Sequence, residues 1–90
     1  SSRDLAFLID RGVDAENVQK TVAKSAGKFL KEISIFDIYD GEGIDPDKKS
    51  IALSVSWQSM NQTLLDSDID RAVEKIINSV KKELGGELRI

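Results

Sequence analysis

The chain has 90 residues, a net charge of −3, no cysteine and no histidine. That length suits one domain with a single modest core, burying roughly 60–65% of the unfolded chain's surface. The missing residue types exclude disulfides, thiolate metal sites and the commonest metal ligand and general base, and the acidic balance taken alone argues against a nucleic-acid partner.

Ser1 and Ser2 read as linker ahead of the domain. From Arg3 to Asp10, Leu5, Phe7 and Ile9 alternate with Ala6 and Leu8, the pattern of a strand buried on at least one face. Arg11-Gly12 turns the chain and Asp14 is a good helix N-cap. Val18, Val22, Ala26 and Phe29 then recur at helical spacing, with Gly27 as the stop signal; Lys20, Lys24, Lys28 and Lys31 fall on another side. Ile33 to Tyr39 and Ser50 to Trp57 are β-branched and aromatic runs around a turn-rich middle, Gly41-Glu42-Gly43-Ile44-Asp45-Pro46-Asp47, so they read as a hairpin with a long loop. In the second run Ile51, Leu53, Val55 and Trp57 share one face and Ser50, Ala52, Ser54 and Ser56 the other. In the first, Phe36 and Ile38 alternate with Ile35, Asp37 and Tyr39. Asp66 is placed to cap a second helix whose apolar stripe is Ile69, Ala72, Val73, Ile76, Val80 and Leu84. Lys81 and Lys82 suit the dipole of its last turn, and Gly85-Gly86 ends it. Glu87 to Ile90 has room for one short strand.

The element order β-α-β-β-α-β, with right-handed crossovers, predicts an α+β ferredoxin-like sandwich over residues 1–90. Its four-stranded antiparallel sheet has the order 4-1-3-2, with both helices on one face. Leu5, Phe7, Ile9, Phe36, Ile38, Ile51, Leu53, Val55 and Trp57 are expected to face the helices. Ala6, Leu8, Asp37, Tyr39, Ser50, Ala52 and Ser54 then lie on the uncovered face, where Ala6, Asp37, Tyr39 and Ser50 can converge.

Arg3-Asp4-Leu5-Ala6-Phe7, Ala26-Gly27-Lys28-Phe29-Leu30, Phe36-Asp37-Ile38-Tyr39, Gly41-Glu42-Gly43-Ile44 and Lys48-Lys49-Ser50-Ile51-Ala52 resemble the ferredoxin-fold anticodon-binding domain, which closes the β subunit of bacterial phenylalanyl-tRNA synthetases. The resemblance covers Arg3 to Ile90, and the block from Phe-Asp-Ile-Tyr to Lys-Lys-Ser is its specific part. It implies that the open sheet face holds the first anticodon base of phenylalanine tRNA, a guanine, and that Ala6, Asp37, Tyr39 and Ser50 are the contact positions. It implies no catalytic residue, metal or cofactor in this domain; ATP and magnesium belong to the parent enzyme, whose other β-subunit domains and α subunit are the expected protein partners. Leu65 stands where the family usually has threonine, so the preferred N-cap side chain is missing there.

Each residue also has a plainer reading. Tyr39 is either a half-buried surface tyrosine or a ring that stacks on a base. Asp37 is a solvated carboxylate, a partner for Lys48 or Arg89, or an acceptor for the adjacent N–H donors of guanine. Ser50 is filler or a hydroxyl for a base or ribose, and Ala6 matters because a larger side chain would obstruct a flat base. Lys48 and Lys49 either meet phosphates or guard the hairpin against edge-to-edge aggregation. The lysines at 20, 24, 28 and 31 read as a solvated helix face. Gly41-Glu42-Gly43 opens no helix, so loop geometry explains it better than phosphate binding. Asp45 and Asp47 flank a turn proline, and Asp66, Asp68 and Asp70 decorate a helix N-terminus; neither set fits a calcium loop.

Three function classes follow: an RNA-binding module, an acylphosphatase-like hydrolase on the same fold, and an amino-acid-sensing or protein-interaction module with no RNA role. Arg11-Gly12 is too little of a phosphate cradle for the second. The acidic composition favours the third, but the specific residue block outweighs it. No apolar run is long enough to span a membrane and no signal-peptide pattern opens the chain, so a cytoplasmic protein without membrane or DNA partners is expected.

Overall fold

A computed structural model describes residues 1–89. Its elements are β1 (Ser2–Asp10), α1 (Ala15–Ser25), β2 (Leu30–Tyr39), β3 (Lys48–Trp57), α2 (Asp66–Leu84) and β4 (Glu87–Leu88). The strands form one antiparallel sheet in the order β2-β3-β1-β4, the expected arrangement of a ferredoxin-like sandwich. Ser2 already pairs with Ser56, and the Trp57 N–H donates to the Ser1 carbonyl at 2.8 Å, so the first residues continue the sheet rather than precede it. The final strand expected over Glu87 to Ile90 is β4, Glu87–Leu88; Ile90 lies outside the described residues.

The core joins one sheet face to both helices: Leu5, Phe7 and Ile9 from β1, Ile51, Leu53, Val55 and Trp57 from β3, Val18 and Val22 from α1, and Ile69, Ile76 and Val80 from α2 are all buried. Trp57 is held by its indole, which donates to the Ala26 carbonyl at 2.8 Å and satisfies the one polar group that this large side chain carries inward.

In β2 the expected core set fails at Phe36, and Ile38, though on the expected face, is not buried. Phe36 is 60% exposed and Ile38 52% exposed, while Ile33 and Ile35 pack against the core. A bulge is the cause. Ile35 pairs with Leu53 and Asp37 with Ala52, so Phe36 and Asp37 together oppose one residue, and the alternation changes phase between them. Beyond the bulge, Ile38 pairs with Ile51 and so shares the helix-side face. A second register shift lies between Leu30 and Glu32.

The helix ends follow local chemistry. Asp14 occupies the N-cap of α1, but its side chain makes no capping bond. The N-cap of α2 is Leu65, one residue before the expected Asp66. Without a side-chain oxygen at that position, Asp68 compensates by accepting the Leu65 N–H at 3.1 Å. Gly85 closes α2 in the left-handed conformation, φ 68°, with its N–H on the Lys81 carbonyl at 3.0 Å.

Candidate functional site

The uncovered sheet face is a grid set by two strand registers. In one row Ala6 pairs with Ala52, and Ala52 with Asp37; in the next, Leu8 pairs with Ser50, and Ser50 with Tyr39. Strands lie about 4.8 Å apart and same-face neighbours about 7 Å apart along a strand. Ala6, Asp37, Tyr39 and Ser50 therefore fall within one patch roughly 10 Å by 7 Å. The structure brings all four expected residues together.

They do not present themselves equally. The two alanines make a flat floor. Asp37 is exposed at its edge, and among the described residues neither Lys48 nor Arg89 forms an ion pair with it. Ser50 is only 5% exposed, in the row between Leu8 and Tyr39. Tyr39 is 41% exposed, and its hydroxyl donates to the Glu42 carbonyl at 2.7 Å. The bulge adds Phe36, exposed beside Asp37 and opposite Ala52, which the alternation pattern assigned to the core. Its signal was present in the sequence: apolar residues at 33 and 35 and again at 36 and 38 cannot share one face of an unbroken strand.

The two hairpin lysines separate. Lys48 pairs with Asp10 in the third row of the open face, Nζ to Oδ1 2.6 Å. That hydrogen bond is the main reason its ammonium pKa rises above the ordinary 10.5. A raised lysine pKa stabilises the fold below the ordinary value, and the contribution is lost as pH climbs through the raised one. Lys49 pairs with Ile9, a core residue, and so belongs to the opposite face. On the helix side, Lys20 pairs with Glu16, Lys24 with Glu83, and the Lys28 ammonium lies 5.1 Å from the Phe29 ring centre, as a solvated face would have them.

Arg11, which the sequence offered only as a poor phosphate cradle, fastens the β2–β3 loop. Its backbone N–H donates to the Asp47 carbonyl at 2.8 Å, and its guanidinium reaches Asp40 Oδ2 at 3.0 Å. A hollow of about 530 Å³ lies elsewhere, between the end of α1 and the flank of α2 over Phe29, Trp57 and Leu64. A flat ligand needs a platform rather than a cavity, so the hollow's size does not make it the better candidate.

A sequence profile of the ferredoxin-fold anticodon binding domain matches residues 1–89. The chain belongs to this family. Among curated relatives, the phenylalanine–tRNA ligase β subunit of Rhodopseudomonas palustris is 41% identical over 88 residues, covering 98% of this chain and 11% of that protein. The same subunit of Pseudomonas fluorescens is 39% identical over 97% of the chain, and that of Nitrobacter winogradskyi 41% over 98%. The anticodon-binding domain therefore spans about 11% of the length of these relatives. Among the described residues, no helix is long and apolar enough to cross a membrane.

Proposed function

We propose that this anticodon-binding domain is the anticodon-recognition module of a phenylalanine–tRNA ligase β subunit, and that its open sheet face takes the first anticodon base, guanine, of phenylalanine tRNA. The observation that carries the reading is the Ala6–Ala52 floor, with an exposed carboxylate, Asp37, in the same row and an aromatic ring, Tyr39, in the next. A carboxylate only accepts hydrogen bonds, and the Watson–Crick edge of guanine offers its N1–H and exocyclic amine side by side. The ring supplies stacking and the alanines leave room for the base plane.

In this reading the domain performs no chemistry. Aminoacylation, with ATP and magnesium, belongs to the remaining domains of the β subunit and to the α subunit, which are its partners in the cytoplasm. One stacked base and two or three hydrogen bonds supply ~2–6 kcal/mol before ordering costs. Since ~4 kcal/mol corresponds to a millimolar dissociation constant, the 90-residue chain alone binds weakly. A chemical-shift titration with an anticodon stem-loop of phenylalanine tRNA tests the proposal. Shifts clustered on Ala6, Asp37, Tyr39, Ser50 and Ala52 support it; shifts confined to the hollow beside α2 contradict it.

A further inference from the structure

The β2–β3 loop holds three features that base reading alone does not use: a glycine with an ordinary backbone, a tethered tyrosine hydroxyl, and an arginine fastening the loop. Gly43 is glycine for a backbone reason, since its φ is 89°. Gly41 is not among the glycines with positive φ. What it lacks room for is a side chain. A Cβ there would stand 2.9 Å from Tyr39 Oη, 3.0 Å from Cζ and 3.1 Å from Cε1, so the edge of the ring rests against the bare Cα. The hydroxyl on that edge donates to the Glu42 carbonyl at 2.7 Å.

The wall behind the ring is itself fixed. The Ile44 N–H closes a turn onto the Gly41 carbonyl at 3.2 Å, and the Lys48 N–H bonds the Asp45 carbonyl at 2.9 Å. Arg11 ties Asp40 at one end of the loop and Asp47 at the other to the end of β1. The hydroxyl is thus engaged by protein, and the ring is set in place before any ligand arrives.

We infer that Gly41 is a positioning residue for Tyr39: the loop is a preformed backstop that fixes the ring in the orientation in which it stacks on a base. This rests on the base-stacking role proposed above and deepens it. A side chain held in its binding orientation beforehand loses less freedom on binding, so the backstop raises affinity without touching the RNA.

The test uses Gly41→Ala, Tyr39→Ala and the double variant of this chain, with two readouts. The first is the Tyr39 ring resonances without RNA. The second is the affinity for a stem-loop with guanine at the first anticodon position. Gly41→Ala is expected to shift the ring resonances while leaving the Phe7 and Val55 amides in place, and to weaken binding about fivefold to tenfold, the consequence of losing a preorganised contact. The double variant is expected to bind no worse than Tyr39→Ala, because the two residues act as one unit. Tyr39→Phe, which keeps the ring but unties it from Glu42, is expected to weaken binding about twofold to threefold, as for one exposed hydrogen bond. Ring resonances that do not move in Gly41→Ala overturn the inference. So does a Gly41→Ala loss that persists undiminished on the Tyr39→Ala background, since Gly41 then acts independently of the ring. If Tyr39→Ala itself binds as the wild type does, the stacking role fails and takes this inference with it; a weak Tyr39→Ala with an unaffected Gly41→Ala removes the backstop alone.

Discussion

In the proposed reading, Tyr39 divides two tasks between two parts of one side chain. The hydroxyl is spent on the Glu42 carbonyl, so a base can gain only from the ring face. Stacking of that kind is worth ~1–3 kcal/mol. Tyr39→Ala is therefore expected to weaken stem-loop binding about tenfold to a hundredfold, measured by titration, with little dependence on base identity because every base has a face to stack. An alanine variant that binds as tightly as the wild type ends the stacking claim. Asp37 and Tyr39 were legible in the sequence because their alternation with Ile38 survives on the loop side of the bulge. Phe36 was missed, because an apolar aromatic within a strand is usually core and the clash of phase between Ile33/Ile35 and Phe36/Ile38 shows only when the whole strand is read together. The place of Gly41 was hidden for a similar reason: a glycine between a strand and a turn reads as backbone freedom, and only the fold brings a ring against it.

At the scale of elements, β3 was readable almost residue by residue because it is central and half-buried, so strict alternation is enforced by the core beneath it. β2 is an edge strand, free to bulge, and its phase could not be extrapolated from one end to the other. Helix α2 shows the same lesson at its start. Leu65 is 61% exposed at the N-cap, and the missing cap is supplied from Asp68 three residues on. Asp68→Ala is expected to cost ~0.5–1.5 kcal/mol, the usual range for losing a capping interaction together with a favourable charge in the first turn. Leu65→Thr puts a hydroxyl where the Asp68 N–H can use it and is expected to stabilise by ~0.5–1 kcal/mol. Thermal unfolding checks both, since ~1 kcal/mol moves the midpoint of a domain this size by about 4–8 °C. A threonine variant with an unchanged or lower Tm contradicts this account of the helix start.

For the whole molecule, the puzzle is an acidic chain in an anticodon-binding family. The balance of −3 supplies no electrostatic affinity, so in the proposed reading selection comes from a few placed groups while the rest of a ligase holds the tRNA. Lys48 and Lys49 lie on opposite sheet faces, so at most Lys48 meets the phosphates of a base bound on the open side. Lys48→Gln is expected to flatten the log–log salt dependence of stem-loop binding by ~0.7, and Lys49→Gln to leave it unchanged. Equal effects from both would mean that the backbone does not run where the register puts it. The central claim is that Asp37 reads guanine. Adenine or uracil in the same place leaves the carboxylate desolvated and partly unpaired, a loss of ~1.5–3 kcal/mol for a charged hydrogen bond. Asp37→Asn keeps the shape but turns one acceptor into a donor facing a donor. The decisive measurement is therefore a two-by-two comparison of wild type and Asp37→Asn against stem-loops with guanine or adenine at the first anticodon position. The account predicts that the substitution weakens the guanine stem-loop far more than the adenine one, so that the preference for guanine narrows. Equal weakening of both stem-loops would contradict it and leave Asp37 with a structural or long-range role.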